Sequence, residues 1–179
     1  IGEQIGLLES KGQEERYIFG FEESYGYLSG SYVRDKDAVG GVFLICEMFA
    51  YYKSKGIDLW EKMQELYRTY GYCLNTLHSF EFEGVTGFQR MQEIMALMRK
   101  GIDTLAGKRG LECLDYSKGL NGLPKSDVLR FLLEDHCSIV VRPSGTESKM
   151  KIYMSISARD MGEAATIEKL MKESIRRFL

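Results

Sequence analysis

The sequence predicts an α+β fold: a C-terminal domain with a mostly antiparallel sheet flanked by helices, preceded by part of an α/β domain. Three observations carry that prediction. Met150, Ile152, Met154 and Ile156 alternate strictly, which is the period-two signature of a strand with one buried face. Phe88, Met91, Met95 and Met98, and later Ala164, Ile167, Met171, Ile175 and Phe178, recur at helical spacing. In the second half the order is strand, helix, several strands, helix, which suits helices covering one face of an antiparallel sheet.

In chain order, Tyr17-Ile18-Phe19 predicts a short apolar strand running into a polar, glycine-punctuated loop. Asp37 is placed to cap a helix that runs to Lys55-Gly56. Its apolar stretch, Ala38 to Tyr52, contains Glu47 and falls short of the roughly 20 residues that span a bilayer, so it is expected to be a buried helix. A second helix is expected from Leu59 to Tyr70, and the stop at Gly71 is the candidate boundary between domains 1–70 and 71–179. Thr76 to Glu83 predicts a strand with Phe80 and Phe82 on one face. Thr86-Gly87-Phe88-Gln89 fits a capping box for the helix that follows, whose methionine stripe is expected to be core and which Lys100-Gly101 ends. Leu111 to Val128, with Gly119, Gly122 and Pro124, predicts turns and irregular loop. Val128–Leu133, Ser138–Val141 and Met150–Ile156 are expected strands, and Asp160 caps the last helix.

Composition narrows the function. Hydrophobic residues make up 44% and charged residues 28% of 179, ordinary values for a globular protein. A net charge of -2 lacks the electrostatic footprint of a nucleic-acid binder, and no segment predicts a membrane span. Cys46, Cys73, Cys113 and Cys137 are dispersed without a Cys-x-x-Cys pair, which argues against structural zinc and for reduced thiols in a cytoplasmic protein. The sequence opens on Ile1, which suggests a piece of something longer.

The densest chemistry lies in Val140 to Tyr153. Arg142 offers a planar fork of donors, Ser144 and Thr146 add hydroxyls, and Gly145 lets backbone N–H groups approach an anion. Lys149 and Lys151 follow on one face of the second strand. A solvated basic turn is the bland alternative, but Arg, Ser, Gly and Thr gathered between two apolar strands favour a phosphate site. A second constellation, Gly20 to Tyr27, carries Glu22, Glu23 and Ser24 on a glycine-bounded loop. Adjacent sugar hydroxyls donate well to carboxylates, and together the acidic and basic loops describe a phosphosugar site. Lys36, between Asp35 and Asp37, is ordinarily a protonated ion-pair partner; if substrate alters its pairing it can hand a proton to a sugar oxygen. The later ligands of a calcium loop are missing there. His78 and His136 fall outside both constellations and are expected to be structural or surface residues, and no nucleophilic triad is evident.

These motifs together resemble the α-D-phosphohexomutases, the phosphoglucomutase and phosphomannomutase superfamily. The resemblance spans essentially the whole chain but only the C-terminal part of such an enzyme. It implies that Glu22 and Ser24 contact sugar hydroxyls with Glu23 between them, that Lys36 is a candidate general acid/base, and that Arg142, Ser144, Gly145 and Thr146 grip the non-reacting phosphate, with Lys149 a weaker addition. It also implies a last domain related in fold to the TATA-binding protein, and an incomplete third domain before it. Mg²⁺ and glucose 1,6-bisphosphate are the cofactors of the full-length enzymes, and the family's phosphoserine and Asp-rich Mg²⁺ loop belong to earlier domains with no counterpart in this sequence. This chain alone is therefore expected to be inactive, with the phosphosugar and those domains as its partners. Glu-Glu-Ser favours a phosphoglucomutase; a phosphomannomutase or phosphopentomutase fragment, a bisphosphate-sugar synthase, or a non-catalytic phosphosugar-binding module are the alternatives.

Overall fold

In a computed structural model, which describes residues 1–22, 25–82 and 84–179, the chain divides into two units, 1–64 and 65–179. The division falls within α3 (Leu59–Tyr70), the helix expected at that position.

The first unit is built of helices and a minimal ribbon. α1 (Gly2–Glu9) buries Ile5 and leads into a 3-10 turn at Glu14–Arg16. The strand expected at Tyr17–Phe19 forms further along, as β1 (Gly20–Phe21) paired antiparallel with β2 (Tyr27–Leu28). Tyr17 instead follows the 3-10 turn, and its hydroxyl donates to the Leu28 carbonyl at 2.8 Å. α2 (Ala38–Ser54) starts where Asp37 predicts: its carboxylate accepts from Val39 N at 3.0 Å and Gly40 N at 3.1 Å. Asp58 likewise accepts from Trp60 N at 2.7 Å at the head of α3.

The expectation that α2 is buried does not hold. Gly41 is its one buried residue, and Val39, Val42, Phe43 and Ile45 are each more than half exposed. An all-round apolar helix needs cover on more than one side. Among the described residues this unit supplies only the two-residue strands β1 and β2 as sheet, and β2 meets α2 through Tyr27 lying against Gly41.

The second unit carries a six-stranded, fully antiparallel sheet in the order β3-β8-β7-β6-β5-β4. β3 (Tyr72–Glu81) begins four residues earlier than expected, because Tyr72 to Asn75 continue its alternation alongside β8 (Lys149–Ala158). The expected end at Glu83 lies outside the described residues. α4 (Gly84–Met98) starts two residues before Thr86, so the expected capping box is inside the helix; Gly84 takes a left-handed φ of 69° and supplies the entry. The segment read as turns and loop begins with strand, from Leu111 to Asp115, and from Tyr116 to Val128 it is a 3-10 turn and loop as expected. β4 (Thr104–Leu105) and β5 (Lys108–Asp115) form a hairpin, and a register shift between Gly110 and Glu112 hides the period of two in the sequence. β6 (Leu129–Leu133), β7 (Ser138–Pro143) and β8 lie at the expected places.

α4 and α5 (Met161–Arg176) pack on one face of this sheet. Met91, Met95 and Met98 meet Ile139, Val141, Met150, Ile152, Met154 and Ile156 in one core with Ala164, Met171 and Ile175. Phe88, expected in that stripe, is 40% exposed. Asp160 caps α5 by accepting from Glu163 N at 2.9 Å. His78 has the structural place expected of it: its Nε2 lies 2.9 Å from Glu168, tying β3 to α5. The alternating residues on the sheet's other face include Arg130, Ser138, Arg142, Lys149, Lys151 and Ser155, so the polar groups singled out in the sequence lie away from the helices.

Candidate functional site

The phosphate-type loop is the connection between β7 and β8. The strands deliver Arg142 at the end of β7 directly opposite Lys151, with Pro143 opposite Met150. Beyond them the loop closes on itself. Ser144 N donates to the Lys149 carbonyl at 2.7 Å, and Lys149 N to the Glu147 carbonyl at 2.8 Å. The Ser144 hydroxyl accepts from Glu147 N at 3.2 Å and from Thr146 N at 3.4 Å, so one side chain sets the backbone of the turn. A Cβ on Gly145 would meet no protein atom within 4 Å, and its φ lies outside the left-handed region. Neither packing nor backbone geometry demands glycine there, and what glycine provides is a bare, exposed amide.

The two lysines differ in a way the sequence does not reveal. Lys149 Nζ sits 3.3 Å from Glu81 of β3 and 3.4 Å from Glu147, and these carboxylates, Glu81 foremost, raise its pKa. Among the described residues no ion pair engages Arg142 or Lys151. Two cations thus stand side by side on adjacent strands at the mouth of a backbone-lined turn, an arrangement suited to a dianion. The sequence placed Lys151 on one face with Lys149 but named only Lys149 among the phosphate-binding residues; the signal that ranks Lys151 above it, the Glu81 contact, is not local in sequence.

The acidic loop belongs to the first unit. β1 and β2 present it, and Glu22 N donates to the Gly26 carbonyl at 2.8 Å to close it. Glu23 and Ser24 lie outside the described residues. Glu22 Oε1 is 3.4 Å from Lys36 Nζ, which also lies 3.1 Å from Asp35 Oδ1. Two residues fourteen apart in sequence, proposed separately as a hydroxyl reader and a proton carrier, therefore share one contact. Gly26 permits it: a Cβ there would come within 2.7 Å of Lys36 Cδ and 2.8 Å of Glu22 Oε2. Asp35 first, then Glu22, raises the Lys36 pKa, so the side chain is an ammonium at neutral pH. Asp37 faces the other way, occupied by the α2 cap and by the Tyr32 hydroxyl, which donates to it. Among the described residues no group of three or more His, Cys, Asp or Glu could hold a metal ion. No described helix is long and apolar enough to cross a membrane.

Residues 7–70 match the model of phosphoglucomutase/phosphomannomutase α/β/α domain III. The phosphoglucomutase of Staphylococcus aureus strain MSSA476 is 37% identical over 178 residues, 92% of this chain and 31% of that protein. That of Staphylococcus haemolyticus is 35% identical over 155 residues, 80% of this chain and 28% of that protein. The chain thus spans about 30% of the length of the curated relatives it matches. Among solved structures, the open form of the exocytosis-sensitive phosphoprotein pp63/parafusin, a phosphoglucomutase from Paramecium, superposes with a TM-score of 0.67 at 22% identity, over 99% of this chain and 33% of that one. That likeness concerns the fold. The chain belongs to the α-D-phosphohexomutase superfamily, the group of the phosphoglucomutases and phosphomannomutases.

Proposed function

We propose that this chain is the C-terminal portion of a cytoplasmic phosphoglucomutase that interconverts glucose 1-phosphate and glucose 6-phosphate, and that its task is to hold the substrate. Residues 1–70 belong to the sugar-binding third domain and 71–179 form the phosphate-binding fourth. Arg142, Ser144, Gly145 and Thr146, with Lys149 and Lys151, take the phosphate that does not react. Glu22, Glu23 and Ser24 take sugar hydroxyls. The observation that carries this reading is the pairing of Arg142 with Lys151 beside a turn organised by Ser144.

Lys36 is the proposed proton donor. As an ammonium held by Asp35 and Glu22 it can give a proton but is a weak acid. A sugar hydroxyl donating to Glu22 would compete for one of the two carboxylates that hold Lys36 protonated. Its pKa would then fall toward the range useful for acid catalysis. The phosphoryl group comes from a phosphoserine carried elsewhere in the full-length enzyme, which Mg²⁺ and glucose 1,6-bisphosphate serve as cofactors, so this chain alone binds and orients without turning over. Holding the non-reacting end of the substrate lowers the barrier by positioning the reacting end.

Titrating the isotope-labelled chain with glucose 1-phosphate and glucose 6-phosphate tests this. Saturable amide shifts are expected at Gly145 and Thr146, and at Glu22 where the sugar is engaged. Absence of shifts at Gly145 and Thr146 with both ligands would overturn the assignment of the loop.

A further inference from the structure

β7 has a second polar end. The phosphate-type loop leaves its C-terminal end, whereas its N-terminal end opens onto a cavity of about 870 Å³ within the second unit. Four residues separate Arg142 from Ser138, which is about 13 Å of strand. The cavity is within the size range of sites for small organic ligands.

Its wall is polar in a specific way. Ser138 and Ser155 are cross-strand partners, Ser157 follows two residues along β8 on the same face, and Arg130 of β6 completes the set. Ser138 is the one buried polar residue among those described. None of these four side chains has a hydrogen bond or ion pair to another described residue. Other charges around the cavity are mostly satisfied: Lys108 pairs with Asp135 at 2.7 Å and Arg159 with Glu163 at 3.1 Å. Three cations, Lys108, Arg130 and Arg159, face two carboxylates, so the lining carries one net positive charge in a chain whose total is -2.

We propose that this cavity is a second ligand site, distinct from the β7–β8 loop, that takes a small phosphorylated sugar with its phosphate on Arg130 and its hydroxyls on Ser138, Ser155 and Ser157. An unpaired guanidinium suits a phosphate through its planar donor fork. Hydroxyl groups, each a donor and an acceptor, suit a polyol and would add little for a bare inorganic anion. A net positive lining favours a phosphomonoester, with its charge near -2, over a neutral sugar or a cation. The site does not depend on the function proposed for the loop.

The test uses the labelled chain carrying Arg142→Ala, which weakens the loop about thirtyfold and leaves the cavity intact. Glucose 6-phosphate is expected to shift the Ser138, Ser155 and Ser157 amides saturably, with affinity within about twofold of the unsubstituted chain. Arg130→Ala is expected to weaken that binding about tenfold or more, with the rest of the spectrum unchanged. Loss of all saturable shifts in the Arg142→Ala chain would overturn the second site. So would cavity binding that is indifferent to Arg130→Ala, or inorganic phosphate binding there as tightly as glucose 6-phosphate. Amide shifts at Gly145 and Thr146 in the unsubstituted chain report the loop separately, so the two proposals fail independently.

Discussion

Replacing Arg142 with alanine should move ligand binding and fold stability in opposite directions. A charge-assisted hydrogen bond to phosphate contributes about 1.5–3 kcal/mol. Lys151 stands directly across the strand pair and keeps one cation at the site, so a loss near the middle of that range, about 2 kcal/mol, is expected. That is roughly a thirtyfold rise in the dissociation constant for glucose 6-phosphate at the loop. The fold should gain. Arg142 and Lys151 are like charges directly opposite one another with no described carboxylate between them, a placement that costs about 0.2–1 kcal/mol. Removing one relieves it, raising the melting temperature by about 1–3 °C. Affinity comes from titration of the amide shifts at Gly145 and Thr146, and stability from thermal melts followed by circular dichroism. An affinity change below about threefold would refute the phosphate role. A melt lowered by several degrees would show instead that Arg142 is a structural residue.

The remaining predictions follow from contacts around the two loops and the core. Glu81→Gln releases Lys149 from the carboxylate that holds it most strongly, so phosphate affinity at the loop should rise by about two- to fivefold, and an unchanged affinity would mean that Lys149 never reaches the ligand. Lys36 should titrate above the ordinary lysine value of about 10.4. Because its folded pKa is raised, any stability from its pairing is present below that value and lost as pH climbs through the folded pKa; a Lys36 resonance titrating at or below the ordinary value would contradict the contact with Asp35 and Glu22. Gly26→Ala should push Lys36 and Glu22 apart, since both clashes fall on flexible side-chain ends, and so lower the Lys36 titration without unfolding the chain. Met95→Ala, at a fully buried position, should cost about 2–5 kcal/mol in denaturant unfolding, whereas Phe88→Ala at the exposed edge of the same helix should cost far less; equal costs would be inconsistent with the packing described.

What the sequence revealed and what it concealed divide along the range of the interactions involved. The β7–β8 hairpin was legible because strand, turn and strand are contiguous and Met150 to Ile156 alternate without a fault. Asp37 and Asp160 were legible as caps because a cap acts over three residues. Lys149 and Lys151 could not be ranked, because Glu81, which occupies Lys149, lies in a strand nearly seventy residues earlier. β5 was missed because the register shift at Gly110 breaks its alternation. The burial of α2 was misjudged for a different reason: apolar composition states a demand for cover, and only neighbouring elements can meet it. Lys36 and Glu22 were each nominated alone, and only the close approach over Gly26 makes them a pair.

The methionines of the second unit have a chemical consequence. Six of the nine in the chain, Met91, Met95, Met98, Met150, Met154 and Met171, are buried in one cluster, while Met48, Met63 and Met161 are exposed. Peroxide reaches the outer three directly, and sulfoxide there costs the fold little. The inner thioethers become accessible only when the domain opens, and a polar sulfoxide formed in that interval cannot be repacked among Ile139, Ile152 and Ile156. Each opening in an oxidising medium is thus a one-way step. The slow phase of methionine oxidation would act as a clock for how often the α4–α5 layer lifts from its sheet.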